Sequence, residues 1–155
     1  LYKIASDPET CLKEIAAKGD MPIVLMGGIK DGVDAVKALA LGASAVAMGT
    51  AAIIAGGCIS CMQCHVGNCV VGIATQDPEH EARYQIDVQS KAIARFFEVV
   101  RWQIATLVAA LGYDDFRDLS RDDLVALTPE AAAITGLPYD PTWADKAEAV
   151  IREVA

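Results

Sequence analysis

The sequence lacks an apolar run long enough to cross a membrane. Of its 155 residues, 54% are apolar and 22% are charged, yet no stretch approaches the roughly 18 consecutive apolar residues that a membrane span requires. We therefore expect a soluble protein that forms one domain or part of one. Neither a signal peptide nor internal repeats nor low-complexity segments are recognisable, so nothing points to secretion or to a repeat architecture.

Basic residues are in the minority. The chain has 13 lysines and arginines against 21 aspartates and glutamates, which gives a net charge of −8. A nucleic-acid-binding protein needs a basic face for the phosphates, so we expect no nucleic-acid partner. An acidic surface also suits a basic redox partner, although a solvated surface is its commoner meaning.

Four of the five cysteines lie close together, at Cys58, Cys61, Cys64 and Cys69. Such density is typical of an iron–sulfur cluster, which needs three or four thiolates at one point. A zinc site more often uses two separated C-x2-C pairs, and the odd number of cysteines argues against a disulfide scaffold. Iron–sulfur ligation is the favoured interpretation, while zinc and structural or redox thiols stay open. The cysteine content also predicts a reducing, cytoplasmic location.

Hydrophobic periodicity and cap residues predict helices that alternate with strands. The predicted elements are a helix from Ser6-Asp7-Pro8 to Gly19, a buried strand over 22–26, a helix capped by Asp31, a buried strand over 45–48, a turn at Gln76-Asp77-Pro78, a long amphipathic helix with apolar residues from Ile93 to Leu111, a short helix with a Ser120–Asp123 capping box, a helix from Thr128-Pro129 to about Gly136, and a turn with a final helix within 138–155. The order of the first elements indicates a right-handed βαβ unit.

Glycines follow both predicted strands, as Gly27-Gly28 and as Gly49-Thr50. Glycine lets the backbone approach an anion closely, and we expect the helix after Asp31 to direct free N–H groups at the same place. In TIM barrels the phosphate site is formed by the loops after strands seven and eight. We therefore predict a cofactor phosphate at Gly27, Gly28, Gly49 and Thr50. The alternative is that these glycines form ordinary turns.

Two longer motifs carry a family resemblance. The motif GGIKDGVDAVKALALGA over 27–43, followed by Met48-Gly49-Thr50, resembles the end of an FMN-binding barrel. The continuation from Gly57-Cys58 through Cys69 to Pro78 resembles the synthase domain of glutamate synthases, above all those of the archaeal type. The resemblance covers roughly residues 20 to 140.

The resemblance implies an α/β fold class. Residues 1–57 would be the C-terminal portion, the last two βα units, of a TIM (β/α)8 FMN-binding barrel. Residues 58–78 would form an iron–sulfur cysteine loop, and 79–155 a helical C-terminal extension. Since such a barrel needs eight βα units in about 250 residues, we expect the rest of the barrel to come from the same or another chain.

The resemblance also implies two cofactors. In that family three cysteines spaced C-x5-C-x4-C hold a 3Fe-4S cluster, and Cys58, Cys64 and Cys69 match this spacing. Cys61 is additional, so a 4Fe-4S cluster with Cys61 as a fourth ligand stays open. The second cofactor is FMN, whose phosphate would lie at the two glycine loops. Lys30 is either an electrostatic helper there or a solvated charge.

The implied activity is that of an FMN and iron–sulfur oxidoreductase. Ammonia, free or derived from glutamine, would condense with 2-oxoglutarate, and reduction of the 2-iminoglutarate would give glutamate. Electrons would pass from ferredoxin or an NAD(P)H-oxidising subunit through the cluster to FMN. The alternatives are an N-methylglutamate synthase-type subunit on the same barrel, a cluster-carrying electron-transfer or assembly subunit, and a zinc-stabilised fragment. No catalytic residue is identified.

Several single residues have a structural and a functional interpretation. His65 would either donate a hydrogen bond to a cluster sulfur or pack the loop. We expect His80 at the surface and Cys11 as a buried thiol. The aromatic residues of the long helix are predicted to lie in the core, and the acidic pairs to cap helices or to face solvent; these are Phe96, Phe97, Trp102, Asp114-Asp115 and Asp122-Asp123.

Overall fold

The structure is a computed structural model that describes residues 22–142. The predicted helix from Ser6 to Gly19, the thiol of Cys11 and the last part of the predicted C-terminal helix lie outside these residues. The elements in chain order are β1 (Val24–Met26), α1 (Gly32–Ala40), β2 (Ala45–Ala47), α2 (Thr50–Ala55), α3 (Pro78–Glu81), α4 (Ile86–Ala110) and α5 (Pro129–Thr135), with short 3-10 helices at Cys64–Val66, Phe116–Asp118 and Arg121–Asp123.

A parallel pair of strands forms the sheet of the described residues. In β1 and β2, Val24 lies opposite Ala45 and Met26 lies opposite Ala47. The connection between them is α1, which begins where predicted because the Asp31 carboxylate accepts a hydrogen bond from the Asp34 N–H at 2.9 Å. The predicted α/β arrangement with parallel strands is therefore confirmed.

The burial predicted for both strands is not reached within the described part of the chain, which holds only two of the eight strands that the predicted barrel needs. Met26 is 69% exposed and Val24 is 60% exposed. Only two strands pair within residues 22–142, so no further strand covers the outer edges. An apolar strand of a parallel sheet is usually covered on both faces, and this pair therefore presents an uncovered apolar surface.

The core lies between α1 and the C-terminal part of α4. Its buried members are Val36 and Ala40 of α1, Val108 of α4, and Leu119. Partly buried residues packed against this cluster are Leu39, Ile104, Leu107, Tyr113 and Leu124. Burial of each large apolar side chain contributes about 1.5–3 kcal/mol, so this contact is the main source of stability in the described residues.

Gly32 lets α1 and α4 approach closely. A Cβ atom at Gly32 would lie 2.6 Å from the Cβ of Gln103 and 2.7 Å from the carbonyl oxygen of Val100. Both are closer than real Cβ contacts, and the second neighbour is backbone, which cannot turn aside. The glycine is therefore required by packing at this position.

The long helix is longer than its apolar pattern indicates. The predicted pattern starts at Ile93, but α4 begins at Ile86. Its first two turns carry exposed apolar residues, Ile86 at 71% and Val88 at 56%, so no amphipathic period marks them. A further difference is the turn at Gln76-Asp77-Pro78, where Asp77 caps the short helix α3.

The predicted caps after α4 are confirmed. The Ser120 N–H donates to the Asp123 carboxylate at 2.8 Å, as in a capping box. Thr128 caps α5, which ends at Gly136 in the left-handed conformation. The division of the chain at 57 and 78 stays a prediction. Within residues 22–142, no helix combines the length and the apolar character needed to cross a membrane.

We predict that Gly32→Ala destabilises the protein by about 1–3 kcal/mol, because α1 must move away from α4 to admit the methyl group. The measurement is denaturant unfolding of the complete protein in its cofactor-free form, so that a change in ligand binding does not enter the comparison. Gly49→Ala is the matched control, since its φ of −104° is ordinary and its Cβ meets nothing within 4 Å. Equal stability of the two variants would contradict the close helix contact.

Candidate functional site

The two glycine loops line one cavity. Because β1 and β2 are parallel and in register, the loops after them begin side by side, at Gly27 and at Met48. A cavity of about 770 Å³ lies above these strand ends, and all four predicted phosphate residues line it. Other lining residues include Met26, Ile29, Lys30, Ala47, Ile54 and Phe96. The structure thus brings the predicted residues together at one site.

Backbone conformation requires glycine at two positions of this cavity but not at the third. Gly27 and Gly28 have φ values of 112° and 73°, a region that other residues rarely adopt. Gly49 has a φ of −104°, which any residue can adopt. A Cβ at Gly49 would meet no atom within 4 Å. Neither backbone conformation nor packing of the described residues requires glycine at position 49, and the space beside it is free for a ligand.

The prediction of free N–H groups at the start of α1 is wrong for two of them, those of Gly32 and Asp34. The Gly32 N–H donates to the side-chain oxygen of Gln103 at 2.8 Å, and the Asp34 N–H donates to Asp31. Side chains of the protein therefore satisfy these donors, as helix caps do. A phosphate in the cavity would have to be bound mainly by the loops themselves and by Thr50.

Lys30 lines the cavity but is paired with Asp34. Its Nζ lies 2.5 Å from Asp34 Oδ2. The hydrogen bond raises the pKa of Lys30 and lowers the pKa of Asp34. Lys37 also lies 3.8 Å from Asp34 Oδ1. Asp34 thus offsets part of the positive charge that Lys30 brings to the cavity.

The four cysteines of the predicted cluster loop differ in exposure. Cys69 is buried, Cys58 and Cys61 are half-buried, and Cys64 is exposed at the start of a 3-10 helix. Within residues 22–142, no three His, Cys, Asp or Glu side chains lie close enough together to ligate one metal ion. The common point of ligation that the sequence predicts therefore stays a prediction.

Cys69 has the environment of a thiolate ligand. The backbone N–H groups that follow it, above all that of Ala74 and then those of Val71, Ile73 and Gly72, lower the pKa of the Cys69 thiol against the opposing effect of burial. Thiolate, not thiol, is the form that binds iron. The donor set at Cys69 fits a cluster ligand.

Gly72 holds the Cys69 turn against α3. Its φ is 82°, and a Cβ there would lie 2.4 Å from the carbonyl oxygen of His80. His80, predicted at the surface, is half-buried, and its Nδ1 is enclosed without a hydrogen-bond partner. The turn that encloses the Cys69 sulfur therefore depends on the close approach of Gly72 and α3.

The backbone on both sides of Cys61 is strained. Ser60 and Met62 have φ values of 54° and 58°, which is uncommon for residues other than glycine. The Ser60 N–H lies 3.4 Å from the sulfur of Cys58, so this sulfur also receives a backbone donor. His65 Nδ1 donates to the Met62 carbonyl oxygen at 3.0 Å, which supports the loop-packing interpretation of His65.

One carboxylate of each acidic pair has a structural role; these are Asp115 and Asp123. Asp115 caps a 3-10 helix and binds Arg117, which lowers the Asp115 pKa to about 2. Asp123 accepts hydrogen bonds from Ser120 and from the Tyr113 hydroxyl. These contacts agree with the predicted capping role.

The sequence-based interpretation missed Phe96 and Gln103. Phe96, predicted in the core, lines the cavity, while Phe97 and Trp102 are exposed. Gln103 caps α1 from a distant part of the chain. The seven-residue spacing of Phe96 and Gln103, which places both on one helix face, was the available signal.

Comparisons of this chain with a family profile and with individual proteins point to the same family. The sequence profile described as a conserved region in glutamate synthase matches residues 5–114. The chain is 36% identical over 130 residues to the archaeal glutamate synthase [NADPH] of Methanocaldococcus jannaschii, covering 81% of this chain and 26% of that protein. It is 34% identical over 147 residues to the glutamate synthase large subunit-like protein of Rhizobium meliloti, covering 84% of this chain and 33% of that protein.

A plant protein is also similar. The ferredoxin-dependent glutamate synthase 2, chloroplastic, of Arabidopsis thaliana is 39% identical over 100 residues, which are 64% of this chain and 6% of that protein. The chain thus spans only a third or less of the length of each of these relatives.

We predict that Gly72→Ala exposes Cys69. The added methyl group has no space beside the His80 carbonyl, so the turn must move away from α3. In metal-free protein, Cys69 should react with a thiol reagent several-fold faster than in the wild type, as measured by mass spectrometry of the labelled peptide. The control is Gly112→Ala, where φ is a similar 87° but a Cβ meets nothing within 4 Å. An unchanged rate in Gly72→Ala would contradict this packing.

Proposed function

This chain belongs to the glutamate synthase family, and from that premise we propose that it carries the FMN phosphate site and the iron–sulfur ligands of a glutamate synthase-type oxidoreductase. The observation that carries the proposal is the cavity at which Gly27-Gly28 and Gly49-Thr50 meet. Two glycine loops at the carboxyl ends of neighbouring parallel strands suit a phosphate site. The unrestricted space at Gly49 supports a ligand there.

We propose that β1 and β2 are the last two strands of a TIM barrel. The uncovered faces and edges of the pair support this, because strands of parallel sheets need neighbours. The remaining strands would come from the same or another chain, and with them most of the 2-oxoglutarate site. The helices from α4 onwards would form the extension that packs on this end of the barrel.

The proposed flavin site consists of Gly27, Gly28, Gly49 and Thr50. The loop backbone and the Thr50 hydroxyl would bind the phosphate, while the flavin ring would extend over the mouth of the completed barrel. Phe96 adds an apolar wall to the cavity. Lys30 contributes less charge than its position suggests, because Asp34 binds its ammonium group.

The proposed cluster ligands are Cys58, Cys64 and Cys69. Support comes from the backbone donors at Cys58 and Cys69, since N–H···S hydrogen bonds stabilise thiolates and tune cluster potentials. A 3Fe-4S cluster is favoured over a 4Fe-4S cluster, for which Cys61 would supply the fourth thiolate.

The proposed reaction is the formation of glutamate. Ammonia, free or from glutamine, and 2-oxoglutarate give 2-iminoglutarate and water, and two electrons with two protons reduce the imine. Bound FMN supplies hydride chemistry and the cluster supplies electron transfer from ferredoxin or an NAD(P)H-oxidising subunit. The residues of this chain bind and orient these groups. The cysteine-rich loop suits a reducing cytoplasm.

The cluster assignment predicts distinct effects of cysteine replacement in the complete protein. Serine at Cys58, Cys64 or Cys69 should abolish the broad visible absorption and most of the bound iron, since each removes a ligand. Cys61→Ser should keep both, together with the paramagnetic signal of an oxidised 3Fe cluster. The measurement is iron analysis with electron paramagnetic resonance.

Other results would change the cluster assignment. Equal loss of iron in all four variants would indicate a four-iron cluster. Stoichiometric zinc in place of iron in the wild type would contradict the cluster assignment.

The flavin assignment predicts that Gly49→Val lowers bound FMN at least tenfold while iron content stays unchanged. The valine side chain would enter the space assigned to the phosphate oxygens.

Gly28→Val should have the same effect. Its matched control is Gly112→Val, since φ is positive and the Cβ is unobstructed at both positions. The measurement is FMN released on denaturation. Full FMN content in Gly49→Val would place the phosphate elsewhere, and a wild type with cluster but no flavin would favour an electron-transfer subunit.

A further inference from the structure

One face of α4 contacts residues that adjoin both proposed cofactor loops. Its residues recur at steps of four and three and therefore lie on one side of the helix; they are Gln89, Ile93, Phe96, Val100 and Gln103. We call them the α4 stripe. α4 has 25 residues and hence a length of about 37 Å, which allows one rigid element to reach both loops.

The two ends of the α4 stripe approach glycines of different loops. Near its start, Ile93 lies 2.9 Å from the position of a Cβ at Gly56, and Gln89 lies 3.1 Å from that at Gly57, just before Cys58. Near its end, Gln103 and Val100 enclose Gly32. Phe96, in the middle, lines the flavin cavity. A single helix face thus contacts the residues beside both loops.

Gln103 makes the polar contact at the end of the stripe. Its Oε1 accepts the Gly32 N–H at 2.8 Å although the two residues are 71 positions apart in the chain. Gly32 is buried and is the first residue of α1. It directly follows the loop 27–31, whose other end is held by the pairing of Met26 with Ala47.

We propose that Gln103 is a positioning residue that holds the loop 27–31 in the conformation that binds the FMN phosphate. This inference rests on the proposed flavin site. The loop contains two glycines with positive φ, which are conformationally permissive, so its shape depends on how its ends are held. β2 holds one end through the strand pairing, and Gln103 holds the other through a hydrogen bond to the backbone.

The test separates phosphate binding from flavin binding in general. The complete natural protein is stripped of flavin and titrated with FMN and with riboflavin, which lacks the phosphate. Gln103→Met keeps the side-chain length but removes the acceptor. We expect FMN to bind roughly tenfold more weakly, because without this hydrogen bond the loop would hold its binding conformation only about a tenth of the time, while riboflavin affinity stays unchanged. Hydrogen exchange of the peptide containing Gly32 should become faster.

Gln89→Met is the matched control. It is the same replacement on the same face of α4, but it lies 14 residues away, about 21 Å along the helix, beside Gly57. It should leave the preference for FMN over riboflavin unchanged. Gln103 is only partly buried, and the replacement conserves its length, so both variants should fold.

Each remaining outcome has one meaning. If the wild type binds FMN no better than riboflavin, the proposed phosphate site is wrong, whatever Gln103 does. If the wild type prefers FMN and Gln103→Met keeps the full preference, the positioning role is overturned. Equal weakening of FMN and riboflavin in Gln103→Met would show a general structural role and would also overturn it.

Discussion

The close approach of α4 to glycines is the contact on which the described structure depends. Gly32 and Gly56 are buried beneath the side chains of α4, and neither position has space for a methyl group without displacement. Because these glycines are close to α1 and α2, the long helix fixes both helices that follow the strands. The apolar cluster of Val36 and Val108 then adds burial energy to the same contact.

The parallel strand pair has a different role. It contributes little buried surface in the described residues, since Val24 and Met26 are mostly exposed. Its importance is geometric, because register places Gly27 next to the loop that starts after β2. A sheet that positions a site without burying its own side chains requires further cover, which fits the short span of this chain within its relatives.

The cysteine loop is organised by backbone donors. Backbone N–H groups of the residues after Cys69 lower the pKa of its thiol, and the sulfur of Cys58 accepts a hydrogen bond from the Ser60 N–H. Such donors suit thiolates, whose negative charge is otherwise costly to bury. The enclosure of Cys69 further requires Gly72 against His80, so the turn and α3 act as one unit.

Local sequence signals determined the caps, the strand centres and the set of candidate site residues. Asp31, Ser120 and Thr128 act on atoms within three residues of themselves, so their roles can be predicted from neighbouring residues alone. The glycine pairs likewise indicated the cavity, because adjacent parallel strands must end at one edge. The cysteine spacing is specific enough to indicate the family without any geometry.

Contacts between distant residues were decided by the tertiary structure alone. Gln103 accepts the hydrogen bond of the Gly32 N–H across 71 positions. No local pattern marks that pair, so the sequence could not show that this N–H group of α1 is already used. Phe96 was assigned to the core because helical periodicity shows that a face is apolar but not what it contacts. The apolar composition of the strands indicates that they need cover on both faces. Their exposure, however, depends on which other strands are present.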